Sequence, residues 1–220
     1  MNMKTKAPST SSRTAKASAK RPQQPSRLPL WLTTERMIIG GIALFTIVIL
    51  AAVFISTSQK GAVLNLDIEG IEEFGRLSAS HQFTPVSYPQ TPPVGGAHHP
   101  AWQQCGVYAE PITNEHAVHS LEHGAVWITY QPDLAADQVQ TLADITRRGT
   151  HRLLSPYAGI DSPIVLSAWG VRLRVENASD PRINDFIRKY EQGPQTPELG
   201  ASCRGGETRT INEIQLSGGA

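Results

Sequence analysis

One apolar segment near the start of the chain restricts most strongly what this sequence can fold into. Met37–Ile55 is 19 residues long and contains no charged side chain. As an α-helix with a rise of about 1.5 Å per residue it spans about 28 Å, close to the hydrocarbon thickness of a bilayer. Because a lone segment in lipid satisfies its backbone hydrogen bonds only as a helix, we predict one transmembrane anchor, at residues 37–57.

Two other interpretations of this segment fit less well. A buried core helix fits poorly because this stretch is apolar on all faces and directly follows a basic tail that we expect to be disordered. A cleaved signal peptide has an apolar region of about 7–15 residues and ends in a small-x-small cleavage site. The segment is longer than that, and Ile55–Ser58 matches such a site poorly. An uncleaved anchor is therefore the prediction.

Charge is distributed unevenly on the two sides of the segment. Residues 1–36 carry eight Lys or Arg and one Glu, a net charge of +7, whereas the other 184 residues carry 12 basic and 18 acidic groups, a net charge of −6. The positive-inside rule predicts a single-pass protein of the cell membrane with its N-terminus in the cytoplasm and its C-terminal part outside. The basic tail, residues 1–36, is rich in Ser, Thr, Lys, Ala and Pro, so we expect it to be disordered. Because the folded part is acidic, we expect no nucleic-acid partner.

Both cysteines, Cys105 and Cys203, fall in the part that we predict to lie outside the cytoplasm. Disulfides persist in such compartments. A bond between these two would close a loop of about 100 residues and contribute up to about 4–5 kcal/mol to stability. We therefore predict a disulfide, with a thiolate metal ligand at Cys105 as the alternative.

The outer part divides into three segments. Residues 58–80 are predicted to be a stalk with one short amphipathic helical piece, residues 81–206 an α+β domain, and residues 207–220 a flexible tail. From residue 125 the periodicity of apolar residues predicts the order β-α-β-β-β-α. This order is that of a thioredoxin-like fold, and a ferredoxin-like fold is the alternative. No Cys-x-x-Cys follows the first strand, so redox chemistry of the thioredoxin type is not expected.

Histidines are concentrated in one short part of the chain, since six of the seven fall between residues 81 and 123. On a predicted helix over 115–123, three of them share an arc of about 60° and face away from the apolar side. Neutral imidazole is the commonest metal ligand in proteins. The candidate ligands are His119, His123, His98, His116, His81 and Glu122. We expect His119, His123 and His98 to bind directly and Glu122 to orient a ring. Imidazole ligands outside the cytoplasm suit copper or zinc.

Three functions fit this cluster. The first is an extracytoplasmic protein that handles copper or zinc. The second is a zinc hydrolase, because His119–His123 matches the His-x-x-Glu-His pattern of one class of zinc peptidases, in which the Glu activates a water. Such an enzyme needs a third protein ligand, and none of Glu176, Glu191 or Glu198 has a convincing setting, so we assign no catalytic residue. The third is a non-enzymatic groove for a protein partner in the cell envelope.

Several motifs resemble those of a known family. They are Pro92–His98, Cys105–Tyr108, Val118–Tyr130, Ser155–Tyr157, Ala168–Gly170, and Pro197–Glu198 with Cys203. From about residue 65 to about residue 205 the chain resembles the bacterial family catalogued as domain of unknown function 3105, usually found behind one N-terminal membrane anchor. The resemblance implies that family features of this chain include His81, His98, His119, His123 and Glu122. It implies no activity.

Overall fold

The structure is a computed structural model that describes residues 34–64 and 66–218. The chain forms two compact units, one ending at Phe54 and the other beginning at Ile55. The predicted disordered tail lies outside the described residues except for 34–36, which begin the first helix. The helices are α1 Thr34–Leu64, α2 Asn114–Glu122, α3 Ala136–Arg147, α4 Pro181–Tyr190 and α5 Ile211–Gly218. The strands are β1 Ile71–Glu73, β2 Gly106–Val107, β3 Val126–Tyr130, β4 Arg152–Pro156, β5 Ile164–Ala168 and β6 Val171–Val175.

Helix α1 contains the apolar segment that dominates the sequence. Within it, Met37–Ile55 has a mean hydropathy of 2.9 and is exposed along its whole length. The helix is therefore long and apolar enough to cross a membrane. It continues to Leu64, beyond the predicted anchor end at residue 57, because no proline interrupts the sequence there.

The second unit is built around a mixed sheet of six strands in the order β1-β6-β5-β3-β4-β2. Strand β4 is parallel to both β3 and β2. The remaining pairs, β3 with β5, β5 with β6 and β6 with β1, are antiparallel. Helix α3 connects the parallel strands β3 and β4, and the hairpin of β5 and β6 leads into α4. The unit is an α+β domain, as the sequence predicts.

The sheet separates two hydrophobic cores. Ile128 faces α3 and α4, where it packs with Leu142 and Phe186. Its neighbour Trp127 faces the other way, because successive side chains of a strand alternate between faces, and packs against Leu121 of α2. The apolar face of α2 thus fixes this helix against the sheet and turns its other face toward the loops that precede it.

The sequence prediction is wrong for strand β1, which lies at one edge of the sheet. Residues 58–80 were expected to be a stalk with a helical piece, but Ile71–Glu73 form β1, paired with β6. The helical prediction is wrong because Ile71 packs on the core beside β6, and Glu72 reaches Arg172 with a carboxylate–guanidinium distance of 2.8 Å. Three residues are too few for the alternation of a strand to stand out in a sequence.

The tail predicted at residues 207–220 also contains an ordered element, helix α5. The carboxylate of Glu213 accepts a hydrogen bond of 2.7 Å from the Thr210 backbone N–H. Thr210-Ile-Asn-Glu213 therefore forms the capping box that begins many helices, a signal that the apolar periodicity alone does not reveal.

Candidate metal centre

Four potential ligands from two parts of the chain meet beside α2. His119 and Glu122 project from α2 one turn apart, and both are buried. His81 and His98 lie on two extended segments that pair as an isolated parallel bridge. In this bridge the Gln82 N–H donates to the His98 carbonyl at 2.8 Å. The bridge brings both rings to the same side of the helix.

The Nε2 atoms of these three rings converge on one carboxylate oxygen. Oε2 of Glu122 lies 2.9 Å from Nε2 of His98, 3.5 Å from that of His81 and 3.9 Å from that of His119. All four ligand atoms lie within 4.8 Å of one another. In a tetrahedral site with bonds of about 2.0–2.1 Å, neighbouring ligand atoms are about 3.3–3.4 Å apart. The observed separations bracket that value, so the cluster has the dimensions of a coordination shell.

Backbone carbonyls fix the orientation of the rings. Nδ1 of His98 donates to the Gly96 carbonyl, and Nδ1 of His119 donates to the His99 carbonyl, each at 2.8 Å. Because a carbonyl oxygen only accepts, Nδ1 carries the proton in both rings. In a neutral imidazole the other nitrogen then presents a lone pair. Both lone pairs therefore lie near the Glu122 carboxylate, with Nε2 at 2.9 Å for His98 and 3.9 Å for His119, an arrangement that a cation or a shared proton has to compensate.

The loop before His98 reaches the helix through two glycines, Gly95 and Gly96. Gly95 and Gly96 have φ values of +143° and +119°, which side chains other than glycine's rarely allow. A Cβ atom at Gly95 would lie 2.7 Å from Leu77 and 3.3 Å from Trp169. The turn therefore depends on glycine, and it carries the Gly96 carbonyl that orients His98.

His123 faces a different carboxylate. Its Nε2 lies 3.3 Å from Oε2 of Glu198, and its Nδ1 donates to the Ser202 carbonyl at 2.8 Å. The atoms of His119, His123 and Glu198 also lie within 4.8 Å of one another. The structure thus places His123 on the far side of His119 from the Glu122 carboxylate, in a second group.

His116 lies apart from both groups. Its ring stacks on that of His99, with centroids 4.5 Å apart and planes inclined by 13°. Its Nδ1 is buried and has no hydrogen-bond partner among the described residues. Burial, with the neighbouring His99 ring, lowers the pKa of His116 below its ordinary value. This residue is the one sequence candidate that the structure does not bring to either group.

Comparison with known proteins identifies a family. One family profile matches residues 80–205, which is more than half of the 220-residue chain. The chain belongs to the family described as protein of unknown function DUF3105. No curated protein and no solved structure matches it. The matched range covers both histidine groups and both cysteines of this DUF3105 protein, whereas β1 and α5 lie outside it.

The electrostatics of the DUF3105 cluster favour neutral imidazole at His119. Burial lowers the pKa of His119 from its ordinary value of 6.5 to about 4, and the nearby rings of His123, His98 and His81 act in the same direction. The hydrogen bond to the His99 carbonyl opposes this change. Near pH 7 the ring is therefore neutral, with a proton on Nδ1 and none on Nε2, and neutral imidazole is the form that binds a metal ion.

Sequence reasoning dismissed one residue that the structure places in the cluster. Glu198 was set aside as a third zinc ligand because its setting in the sequence was not convincing, but the chain brings its carboxylate to within 3.3 Å of Nε2 of His123. The segment that carries it is tethered, since the structure contains the Cys105–Cys203 disulfide that the sequence predicts. Cys105 is therefore no thiolate ligand in this DUF3105 protein. In the sequence, the family-like motif Pro197–Glu198 was the feature that could have pointed to Glu198 as a site residue.

Proposed function

We propose that this protein binds one transition-metal ion in a centre formed by the buried residues His98, His119 and Glu122 together with His81, whose side chain is 44% exposed. The observation that carries the proposal is the convergence of three Nε2 atoms on one carboxylate oxygen. Burying a carboxylate and several imidazoles is unfavourable unless a partner compensates their polarity. A metal ion compensates all four groups at once, whereas a single proton satisfies one contact.

The ligand atoms of the centre limit which metal ions suit it. Three imidazoles and a carboxylate suit zinc and divalent copper, while a soft thiolate environment would suit cuprous ions. Both cysteines of the chain are joined to each other, so they supply no thiolate. We therefore infer zinc or copper, bound as cargo or as a resident ion of a metal-handling protein in the cell envelope. Handling requires a second envelope protein that delivers or receives the ion.

Elemental analysis tests this proposal directly. The full chain is purified in detergent without chelators, and zinc and copper are measured against protein concentration. We expect about one ion per chain, removed by dialysis against a strong chelator and restored by the free metal. Protein that never holds stoichiometric metal, even after incubation with zinc or copper salts, would refute the proposal and favour the non-enzymatic groove for an envelope partner.

We infer that α1 anchors the protein in the cell membrane with the DUF3105 domain outside. Support comes from the apolar length of Met37–Ile55, the net charge of +7 before it and the disulfide after it. Protease added to spheroplasts should digest the C-terminal domain and leave a protected N-terminal fragment. A domain that is protected until the membrane is permeabilised would reverse the orientation, and release of the domain without α1 would identify a cleaved signal peptide.

We infer further that the domain is thioredoxin-like in topology. The strand order β4-β3-β5-β6 supports this inference, with its first pair parallel and the next two antiparallel, and with α3 and α4 as the crossover and final helices. A ferredoxin-like fold would need another strand after the last helix to complete its split β-α-β arrangement. An experimental structure would test the inference through this strand order and the position of α4.

A zinc hydrolase is the second candidate, because Glu198 supplies the carboxylate that the His-x-x-Glu-His pattern lacked. In that case His119, His123 and Glu198 hold the ion and Glu122 activates water. The contact of 2.9 Å between Glu122 and the buried His98 argues against it, since a general base needs access to a water molecule. Hydrolysis of peptides or esters that disappears in Glu122→Gln while metal stays bound would favour the hydrolase.

A further inference from the structure

We propose that His123 and Glu198 form a second cation position, adjacent to the first metal centre and separated from it by His119. This inference rests on the proposed function, because it takes the first group as occupied. It gives the protein two ions of unequal affinity, one held by four protein ligands and one held by two, in place of a single centre. The class of ligand is a divalent transition-metal ion, bound by one imidazole, one carboxylate and water.

The geometry of α2 separates the two positions. Successive helical residues are about 100° apart, so Glu122 and His123 lie on opposite sides of His119, at about −60° and +40°. The loop that carries His81 and His98 lies on the Glu122 side. Glu198 lies on the His123 side, where its Oε2 is 3.3 Å from Nε2 of His123.

His119 serves only one ion at a time. Its Nδ1 is committed to the His99 carbonyl, so Nε2 has the one available lone pair. When that lone pair binds the first ion, the second position keeps His123 and Glu198 as protein ligands. Two protein ligands leave several coordination sites to water, which makes the ion easier to remove than one held by four.

His123 is oriented as a ligand and not as a surface histidine. Its side chain is 6% exposed, and its Nδ1 donates to the Ser202 carbonyl at 2.8 Å. Trp102 packs against it with ring centroids 5.0 Å apart. With Nδ1 protonated, the neutral ring presents the lone pair of Nε2 to Glu198. A side chain that only filled space would not need a fixed tautomer aimed at a carboxylate.

The chain also holds Glu198 in place. Its backbone N–H donates to the Glu122 carbonyl at 3.1 Å, which ties it to the end of α2. Gln192 donates to the His123 carbonyl and accepts from the Gly200 N–H, so it bridges the helix end and the loop. The Cys105–Cys203 disulfide fixes the same loop next to Ser202.

The two carboxylates differ sharply in exposure. The side chain of Glu198 is 49% exposed, whereas that of Glu122 is 3% exposed. The second position therefore opens to solvent at its carboxylate, whereas the first group reaches solvent only through one of its four ligands, His81. Adjacent tight and open positions are an arrangement suited to exchanging an ion with a partner.

Equilibrium dialysis with zinc tests the proposal on the full chain in detergent. We expect two zinc ions per parent chain, with the second bound at least about tenfold more weakly than the first. Glu198→Gln should reduce binding to one ion and leave the tight event unchanged. Glu176→Gln, which changes an exposed carboxylate at the end of β6, is the matched control and should keep two ions.

Three results would overturn the second position. Parent protein that binds one ion at saturating zinc would exclude it while leaving the proposed function intact. If Glu198→Gln and the parent bind the same number of zinc ions per chain, the second ion does not lie at His123 and Glu198. Loss of both ions in Glu198→Gln, in protein that still unfolds at the parent temperature, would merge the two groups into one centre. Parent that binds no zinc or copper would instead refute the proposed function itself.

Discussion

Replacement of His98 by alanine is expected to leave the protein without its tightly bound metal ion. His98 is fully buried, and its Nε2 makes the shortest contact to the Glu122 carboxylate, 2.9 Å. Altering a residue that merely supports a ligand typically costs about 10–100-fold in metal affinity. Removing a ligand itself should therefore cost more than about 100-fold. Elemental analysis of the purified variant would show less than a tenth of an ion per chain under conditions that load the parent.

Two further variants show whether metal is lost because a ligand is missing or because the protein is misfolded. His151→Ala removes the one histidine outside the 81–123 cluster and should keep the parent's metal content. Glu122→Gln keeps the shape of the side chain but removes its charge, so it should weaken binding by at least about 10–100-fold. If His98→Ala and His151→Ala retain metal equally while both stay folded by circular dichroism, the proposed centre is not the site.

The double variant Cys105→Ser, Cys203→Ser is expected to lose about 4–5 kcal/mol of unfolding free energy. The two cysteines are 98 residues apart in sequence, and the entropy that the cross-link removes from the unfolded chain grows with loop length. For a domain of this size about 1 kcal/mol corresponds to about 2–4 °C in Tm, so the midpoint should fall by about 8–20 °C. Thermal unfolding followed by circular dichroism measures the change.

The parent protein with an added reductant provides the control for this pair. It should unfold at the temperature of the double variant, because both lack the same cross-link. Two free thiols in freshly isolated parent, or a midpoint that shifts by less than about 3 °C in the variant, would contradict the predicted role of the bond. Peptide mapping without reductant identifies the linked peptides.

Much of the fold could be predicted because its central elements have strong periodicity. The sequence predicted the order β-α-β-β-β-α from residue 125, and the structure has these elements as β3, α3, β4, β5, β6 and α4. Strands β1 and β2 have three and two residues, too few to show alternation. They are strands only because a longer neighbour pairs with them, which is information that lies elsewhere in the chain.

The sequence predicted which histidines belong to the candidate site better than it predicted how they divide between the two groups. A helical projection places His119 and His123 together, and that is correct for the rings, whose centroids are 4.6 Å apart. It does not show which carboxylate each ring faces. Glu122 contacts His98, which lies on a loop 24 residues earlier in the chain. Glu198 contacts His123 from a segment much later in the chain. Tertiary contacts of this kind have no local signal.

The position of the disulfide along the chain affects how the protein matures. Five of the six strands and helices α2, α3 and α4 lie between Cys105 and Cys203. At a synthesis rate of about 5–20 residues per second, the first cysteine waits about 5–20 s for its partner to be made. During that interval it is an unpaired thiol beside a histidine-rich segment. The bond therefore forms only after the residues of five strands and three helices have been synthesised, and a truncation before residue 203 would leave Cys105 without its partner.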